Sequence, residues 1–394
     1  MSSNTLQNVV VVGAAAAGLT TAQSVAKSLP DTHRVVLIEA NPVAYWSIAA
    51  LRGAVLPGFE DQVVHELSAK TVFGAGSRHI VLTGTRVVDL GSDHVVVSRD
   101  VTSEVSGSTL DAEGRTKIPL DRAVLGLGSD YGFPTRAATT AKSADDIKAH
   151  FIKMQNDVKN AQDILVIGGG PTGVEFVGEV LDVHPNKKIT LLTRGAALAS
   201  SGDDAFAGMS KKLLSQLQAK GVRVILNDSI PKDLTTGPID ATSFTTSKGV
   251  ELTADYVMVA LGGRPNTEWV KSSHPELVDS KGYLKVTDAF VLDAPGWERY
   301  YSLGDAANTP GLKTNYIATQ HAPLVAHNVV AAIKGTSTDK LKRVNGAPGA
   351  LMVVPIGKGG GAGYLGFATV GSWVASFAKG KTLFVSKFHG SFKA

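Results

Sequence analysis

Two apolar runs along the chain are each followed by a glycine-rich turn and then by a stretch with helical spacing. Residues 9–12 lead into the turn at residues 13–18, and residues 164–167 lead into the turn at residues 168–173. Short apolar runs bounded by such turns predict buried parallel strands. A turn of this kind aims the N-terminus of the following helix at a pyrophosphate group. The pattern therefore predicts two dinucleotide sites.

The first unit continues as a complete βαβ pattern. Helical residues follow its turn, Pro30 interrupts them, and residues 34–38 form a second predicted strand that ends at Glu39. A carboxylate at this position accepts hydrogen bonds from ribose hydroxyls. Ala15 stands where a middle glycine usually lets the backbone approach the phosphates, so its methyl group must be tolerated. The predicted contacts of the first site are Gly13, Ala15, Ala16, Ala17, Gly18 and Glu39.

The second unit has more glycines and lacks the acid. Its helical residues end before Pro185, and residues 188–192 form a strand that finishes at Thr193 and Arg194. Arg194 could pair with a 2′-phosphate, so NADPH should bind at least as well as NADH. The alternative is that Arg194 is solvated at the end of the strand. The predicted contacts of the second site are Gly168, Gly170, Thr172, Gly173, Thr193 and Arg194.

Composition limits the chemistry. The 394 residues are 43% hydrophobic and 19% charged, which is typical of a globular protein, and no segment is long and apolar enough to span a bilayer. The chain has no cysteine, which excludes thiolate nucleophiles, iron–sulfur clusters and cysteine-ligated zinc. Redox chemistry would therefore use a bound organic cofactor, and we expect no metal site. A net charge of +4 without a basic patch predicts no specific nucleic-acid binding.

Two later segments complete the pattern. Residues 123–128 and 256–266 are apolar strands ended by glycines, including Gly128 and Gly263, and we interpret them as crossings between two domains that contact the cofactors. A short strand then leads into Gly304 and Asp305 at the predicted head of a new helix, where a carboxylate can meet the ribityl hydroxyls of a flavin. The alternative for this Gly-Asp pair is a simple helix cap.

The order of these motifs, over residues 9–306, resembles the two-dinucleotide flavoprotein reductases, which include glutathione reductase, type II NADH dehydrogenases and relatives of apoptosis-inducing factor. The missing cysteine pair separates the chain from the disulfide reductases. Shorter matches resemble the apoptosis-inducing-factor-like, mitochondrion-associated branch that includes the ferroptosis suppressor protein family. These matches are Ala49-Ala50-Leu51-Arg52, Lys313, Tyr316, His321-Ala322, Gly349-Ala350-Leu351, Gly363 and Leu383-Phe384-Val385-Ser386.

The resemblance implies FAD in the first site, NADPH or NADH in the second, and reduction of a hydrophobic, ubiquinone-like quinone. It also implies that Arg52 contacts FAD phosphates, Asp305 the ribityl chain, Glu175 the nicotinamide region and Lys379 the isoalloxazine. Lys379 and His321 are candidates for giving protons to the quinone oxygens. The alternatives are that His321 packs within a predicted helix at residues 320–330 and that Lys379 is a solvated surface residue.

Two other functions stay open at this point. One is an NAD(P)H-dependent reductase of a small electron-transfer protein, which would need a charged docking patch. The other is a non-catalytic, apoptosis-inducing effector that binds DNA, which the scattered lysines disfavour.

Residues 349–394 mix aromatic residues with lysines. Residues 358–363 predict a flexible loop, while Trp373, Phe377 and Phe384 stand near Lys379 and Lys381. Such a mixture suits peripheral membrane contact, and it equally suits packing on the flavin site or a dimer contact. The amino terminus shows neither a signal peptide nor a Met-Gly start. We expect a cytoplasmic location, with the surface of mitochondria or lipid droplets as the alternative.

These observations predict an α/β fold with two Rossmann-like dinucleotide-binding domains of the glutathione-reductase type and a small C-terminal segment. The FAD-binding domain would comprise residues 1–140 and 259–340, with the NAD(P)H-binding domain at residues 141–258 inserted between them. Residues 341–394 would form a C-terminal cap.

Overall fold

The computed structural model describes residues 6–200, 202–346 and 349–394. The first part of the chain contains β1 (Gln7–Val12), α1 (Ala16–Ala26), β2 (His33–Ile38), β3 (Ala44–Tyr45), α2 (Ala50–Gly53), β4 (Val64–His65), α3 (Ala69–Phe73), β5 (Ile80–Leu82), β6 (Val87–Leu90), β7 (His94–Val97), β8 (Thr109–Leu110), β9 (Thr116–Pro119), β10 (Arg122–Leu125) and β11 (Ser129–Asp130). The middle part contains α4 (Ala144–Asn160), β12 (Asp163–Ile167), α5 (Pro171–Val183), β13 (Lys188–Leu192), α6 (Ala207–Ala219), β14 (Arg223–Ile225), β15 (Gly237–Thr245), β16 (Glu251–Val259) and β17 (Arg264–Pro265). The last part contains α7 (Glu268–Ser273), β18 (Tyr300–Ser302), α8 (Asn315–Ile333), β19 (Met352–Ile356), β20 (Gly360–Tyr364), β21 (Thr369–Val370), α9 (Ser372–Ala375), a π-helix (Ser376–Gly380) and α10 (Val385–His389).

Two five-stranded sheets form the centre of the fold. The first has the strand order β18-β10-β1-β2-β5 with every pair parallel, and the second has the order β14-β13-β12-β16-β15 with only β15 antiparallel. Central parallel strands are covered on both faces, so their sequences are continuously apolar. Val9, Val10 and Val11 in β1 are fully buried. The predicted α/β fold class is confirmed.

The two chain crossings meet in a small ribbon. After β10, the chain forms β11, and after β16 it forms β17; these two short strands pair antiparallel, with Ser129 opposite Pro265. Each crossing thus leaves one five-stranded sheet at the carboxyl end of a central strand. The domain limits drawn from the sequence stay a prediction.

The C-terminal part differs from its sequence-based expectation. Residues 358–363 do not form a flexible loop, because Gly360–Tyr364 is strand β20, paired with β19 and β21 in an antiparallel sheet. Glycine is needed here for close approach: a Cβ on Gly361 would lie 2.4 Å from the carbonyl oxygen of Val354. The side chain of Gln216 on α6 also bonds both the N–H and the C=O of Gly361, at 2.8 and 2.9 Å.

This C-terminal part contacts both nucleotide-binding units. Its sheet packs on α5, where a Cβ on Gly178 would lie 2.4 Å from the backbone nitrogen of Gly357. Its last helix, α10, packs on the first unit, where the rings of Phe388 and Trp46 stack with centroids 5.1 Å apart. Across the described residues, no helix is long and apolar enough to cross a bilayer.

Candidate active site

The first glycine-rich turn connects β1 to α1. Gly13 has a φ of +91°, and a Cβ on it would lie 2.5 Å from the carbonyl oxygen of Gly126. A Cβ on Gly18 would lie 1.8 Å from the carbonyl oxygen of Gly13, so neither position admits a larger residue. Ala15 precedes α1 and offers no side-chain cap. The first N–H groups of the helix are therefore left for an anionic ligand.

A cavity of about 440 Å³ lies beside this turn at the carboxyl ends of the strands, and Gly13, Ala15, Glu39, Gly128 and Arg136 are among the residues that line it. The Glu39 carboxylate accepts the N–H of Ala14 at 2.5 Å and the N–H of Asn41 at 2.9 Å. These bonds fix the carboxylate against the turn.

A second, smaller cavity shares Ala15, Gly128 and Arg136 with the first and extends it along α1. It adds Ala16, Ala17, Gly304 and Asp305, so the structure brings these predicted contacts together from two distant stretches of chain. A Cβ on Gly304, whose φ is +79°, would lie 3.3 Å from the Cβ of Ala17. The Gly-Asp pair does not head a helix as predicted, because Gly304–Ala306 is a short 3₁₀ turn and α8 begins only at Asn315.

Asp305 lies in an electrostatic setting that the sequence did not reveal. Burial raises the pKa of its carboxyl group, while the cations of Arg136 and Lys313 oppose that shift. Nη2 of Arg136 lies 3.9 Å from the carboxylate, and the same guanidinium lies over the ring of Tyr131, 5.8 Å from its centroid. Sequence reasoning missed Arg136, although it follows the first crossing by a few residues.

The two joined cavities fit FAD. Free helix N–H groups suit a pyrophosphate, Glu39 suits a ribose, and the half-buried Asp305 supplies an acceptor for ribityl hydroxyls. Gly13 and Gly18 pack so closely against backbone carbonyl oxygens that neither position has room for a Cβ. The donor and acceptor set is thus that expected for a dinucleotide.

The second turn repeats this geometry between β12 and α5. Gly168 has a φ of +121°, and a Cβ on Gly173 would lie 2.0 Å from the carbonyl oxygen of Gly168. Gly170 is the N-cap residue of α5 and has no side chain that could bond the helix N–H groups. A Cβ on it would stand in open space. Thr172 is the second residue of α5 and is partly exposed.

A cavity of about 450 Å³ opens at this turn, and its lining includes Gly168, Gly170, Thr193, Arg194 and Lys232. Lys232 was missed by sequence reasoning, since its loop carries no motif. Gly263 lies at the crossing, as predicted, but is not among the residues that line this cavity; a Cβ on it would stand 2.7 Å from the ring of Tyr131.

Glu175 and Lys379 meet in the structure. Nζ of Lys379, on the π-helix, lies 2.6 Å from Oε1 of Glu175, two residues beyond the last glycine of the second turn. Glu175 is buried, which raises the pKa of its carboxyl group, and the Lys379 cation opposes this shift. Of the two readings of Lys379, a solvated surface residue and a partner in a buried site, its contact with Glu175 fits the second.

Arg52 lies in a different place from the one implied by the resemblance. Its guanidinium is 1% exposed and forms an ion pair with Glu179 of α5, with Nε 2.7 Å from Oε2. It also donates to the carbonyl oxygens of Gly380 and Lys381. These bonds use four of the five N–H donors of the guanidinium, and Arg52 is not among the residues that line the FAD cavities, so this geometry gives no support to an FAD phosphate contact for Arg52.

His321 lies in the core beside α1 rather than in the group formed by Glu175 and Lys379. Its ring packs against Phe290 with centroids 4.9 Å apart, and burial together with the Lys313 cation lowers its pKa. Both effects favour the neutral form of the ring. This geometry fits the packing alternative for His321.

Residues 7–322 match the pyridine nucleotide-disulphide oxidoreductase family. The chain is a member of this family. It is 30% identical to an FAD-dependent oxidoreductase of Flammulina velutipes over 73% of this chain and 88% of that protein. It is 25% identical to apoptosis-inducing factor homolog B of Dictyostelium discoideum over 97% and 96%. It is 28% identical to ferroptosis suppressor protein 1 of Taeniopygia guttata over 96% and 94%.

Solved structures agree on the fold. A NAD-dependent persulfide reductase of A. fulgidus superposes with a TM-score of 0.62 at 21% identity; the match covers 82% of this chain and 59% of that chain. An engineered water-forming NADPH oxidase superposes with a TM-score of 0.57 at 19% identity, over 82% and 70%. The resemblance to the branch of apoptosis-inducing factor and ferroptosis suppressor protein is confirmed. This member of the family is an FAD-dependent NAD(P)H oxidoreductase.

Proposed function

We propose that this flavoprotein is an NAD(P)H:quinone oxidoreductase that converts NAD(P)H, one proton and a hydrophobic quinone into NAD(P)⁺ and the hydroquinone. The observation that carries the proposal is the buried pair of Lys379 and Glu175 beside the second glycine-rich turn. A quinone needs protons as well as electrons, and this pair is a proton donor held next to the nucleotide-binding elements. No cysteine is present to serve a disulfide substrate.

When bound, FAD accepts a hydride from the nicotinamide and supplies the electrons for the acceptor. The chain contributes orientation and proton donation. Nζ of Lys379 donates a proton to a quinone oxygen. Glu175, whose pKa is raised by burial, lies 2.6 Å away and returns a proton to Nζ. The positive charge of Lys379 also stabilises negative charge that develops on a quinone oxygen.

A cavity of about 310 Å³ supports the choice of a hydrophobic acceptor. Tyr316 and Ile317 of α8 form one wall, and Ala350, Leu351 and Leu365 lie among the other lining residues. The neighbouring face of α8 presents Asn315 and Ala318 to the FAD cavity. Helix α8 thus borders both an apolar cavity and the flavin site, and the apolar cavity suits the hydrophobic part of a quinone.

Lys379→Ala tests the proposal in single turnovers measured without oxygen. We expect flavin reoxidation by a ubiquinone analogue to slow by roughly 100-fold or more, because a general acid contributes about 10²- to 10⁴-fold. Flavin reduction by NADPH should change little. Lys381→Ala, two residues away on an exposed side chain, is the matched control. Equal slowing of both half-reactions, or of neither, would refute the placement of Lys379.

The competing acceptor is a small electron-transfer protein. Wild-type enzyme should then reoxidise faster with a ferredoxin than with the ubiquinone analogue, and its rate should fall steeply with salt. Under the quinone proposal, the quinone is the faster acceptor and salt has little effect.

NADPH is the proposed preferred donor. Arg194 and Lys232 line the second cavity from two different loops, and two cations suit the 2′-phosphate. In the engineered NADPH oxidase, the changes made to the parent NADH oxidase include removal of an aspartate and addition of two arginines. This chain has Thr193 and Arg194 at the end of β13, without an acid.

We also propose that the C-terminal part contacts a lipid surface, from which a hydrophobic quinone would enter. Phe367, Trp373 and Phe377 are 86%, 80% and 73% exposed, and the last two rings stack on each other. Exposed Lys381 and Lys387 follow in the chain. Aromatic rings beside lysines suit an anionic membrane interface.

Vesicle cosedimentation tests this contact. Wild-type protein should sediment with vesicles that contain phosphatidylserine, and the double variant Trp373→Ser with Phe377→Ser should stay in solution. Leu110→Ser, which changes a 50% exposed side chain elsewhere, is the control. Equal sedimentation of all three proteins would refute the lipid contact.

A further inference from the structure

Arg52 joins three separate parts of the chain. It stands on α2, five residues after Ser47, which lines the FAD cavity. Its Nε and Nη2 donate to the two carboxylate oxygens of Glu179 on α5, at 2.7 and 2.8 Å. Its Nη2 and Nη1 donate to the carbonyl oxygens of Gly380 and Lys381 at 2.6 and 3.1 Å. One buried guanidinium thus holds α2, α5 and the end of the π-helix together.

The end of the π-helix is where such support matters. The last carbonyl groups of a helix have no partner within it, and Gly380 is the final residue of the π-helix that carries Lys379. Arg52 donates to the carbonyl groups of Gly380 and Lys381, and its side chain is only 1% exposed, so water does not compete for these N–H donors. Arg52 therefore anchors the backbone at Gly380 and Lys381, directly after Lys379.

Glu175 and Glu179 lie one turn apart on α5, so their carboxylates share a face of the helix. Burial raises the pKa of both carboxyl groups, and the neighbouring carboxylate of Glu179 further raises the pKa of Glu175. Each is paired with a cation from another part of the chain, Lys379 for Glu175 and Arg52 for Glu179. The two ion pairs form one neutral, four-residue charge cluster.

We infer that Arg52 is a positioning residue for Lys379: it fixes the carbonyl groups that follow Lys379 and holds Glu179 one turn from Glu175, so that Nζ of Lys379 stays directed at Glu175. This inference rests on the proposed role of Lys379 in quinone reduction. A guanidinium is needed because its planar fork serves several acceptors in fixed directions, whereas an ammonium group cannot.

The test uses Arg52→Lys, which keeps the charge and loses the fork, with Glu179→Gln as a second variant that keeps the shape of the acceptor. We expect FAD content and flavin reduction by NADPH near those of the wild type. Flavin reoxidation by a ubiquinone analogue should slow by about 10- to 100-fold, as misplacement of a reacting group does, and its pH profile should shift. The double variant Arg52→Lys with Lys379→Ala should be no slower than Lys379→Ala alone.

Hydrogen–deuterium exchange of the FAD-loaded protein gives a readout that does not depend on activity. Amides of residues 376–383 should exchange faster in Arg52→Lys than in the wild type, whereas those of α1 should not change. If Lys379→Ala proves inert but this exchange still rises, the quinone proposal fails while the positioning of the π-helix stands. Loss of FAD from Arg52→Lys, multiplicative slowing in the double variant, or unchanged exchange would each overturn the inference.

Discussion

The two glycine-rich turns have nearly the same backbone geometry and different surroundings. A Cβ would lie 1.8 Å from a carbonyl oxygen at Gly18 and 2.0 Å at the equivalent Gly173. The first site then ends its second strand with the buried Glu39, held by backbone N–H groups, while the second ends with the exposed Arg194. The two turns are thus alike, and we propose that the residue after the second strand determines which dinucleotide each site prefers.

The sites also differ in which parts of the chain line them. Asp305 reaches the first site from a stretch of chain almost 300 residues later than its turn, so that site is built from distant parts of the sequence. The second cavity is lined by residues 167–262 alone. We expect the first site to hold its nucleotide permanently and the second to exchange it.

The sharpest way to separate the two sites is to place the same methyl group in each turn. Gly18→Ala and Gly173→Ala both clash with a backbone oxygen, which costs on the order of 3 kcal/mol or more. Gly18→Ala should purify without flavin. Gly173→Ala should keep flavin but be reduced by NADPH at least about 100-fold more slowly at a fixed NADPH concentration.

Gly170→Ala is the matched control, because Gly170 has a negative φ of −72° and free space for a Cβ. Its absorption spectrum and its reduction rate should resemble those of the wild type. Loss of flavin from Gly173→Ala would show that the two sites are not independent.

Reversing the charge at the end of β13 should make the second site resemble the first. In Arg194→Glu, one charge-assisted bond to the 2′-phosphate is lost and repulsion is added, which is worth about 1.5–3 kcal/mol. The ratio of kcat/KM for NADPH to that for NADH should fall by roughly 10- to 150-fold. Lys232→Glu should shift the ratio in the same direction. A ratio unchanged in both variants would show that neither Arg194 nor Lys232 contacts the 2′-phosphate.

The smallest effect concerns the buried carboxyl group of the first site. Burial raises the pKa of Asp305 above its ordinary value of 3.8, so the folded apoprotein binds this proton more tightly than the unfolded chain does. The stabilising effect of the protonated group is complete below that ordinary value and is lost as the pH rises through the folded pKa. At neutral pH, the apo form of Asp305→Asn should therefore be more stable than the wild type, by on the order of 1 kcal/mol.

Urea unfolding of flavin-free protein between pH 4 and pH 7 measures this difference, which should shrink as the pH falls. Asp305→Ala should in addition purify with reduced flavin content. Full flavin content and unchanged thermal stability in Asp305→Ala would show that Asp305 does not contact the ribityl chain.

Local patterns predicted the parts of the fold that depend on nearby residues. The strands β1, β12 and β13 and the helices α1 and α5 follow from apolar runs, glycine spacing and proline positions. The strand β20 was missed because glycines usually indicate loops, and here they serve close contact between a strand and its neighbours. Such contact depends on how another element packs against the strand, and the sequence of the strand itself carries no information about that packing.

The same distinction applies to the site. Glu175 and Lys379 were singled out separately through the resemblance, and only the folded chain puts them 2.6 Å apart. Arg52 and Glu179 are 127 residues apart, and no spacing rule links them. A resemblance transfers a residue's identity, whereas its contacts depend on how the rest of this chain folds.

The way in which the C-terminal part spans both nucleotide-binding units has a consequence for biosynthesis. Residues 349–394 are translated after both five-stranded sheets, and at about 5–20 residues per second the ribosome needs roughly 2–9 s to add them. During that interval, both sheets can already form while α5 lacks β19 and Glu175 lacks Lys379. The nascent chain therefore passes through a stage in which its nucleotide sites can fill before Lys379, the proposed proton donor, is in place, so FAD can be acquired before the proposed quinone chemistry.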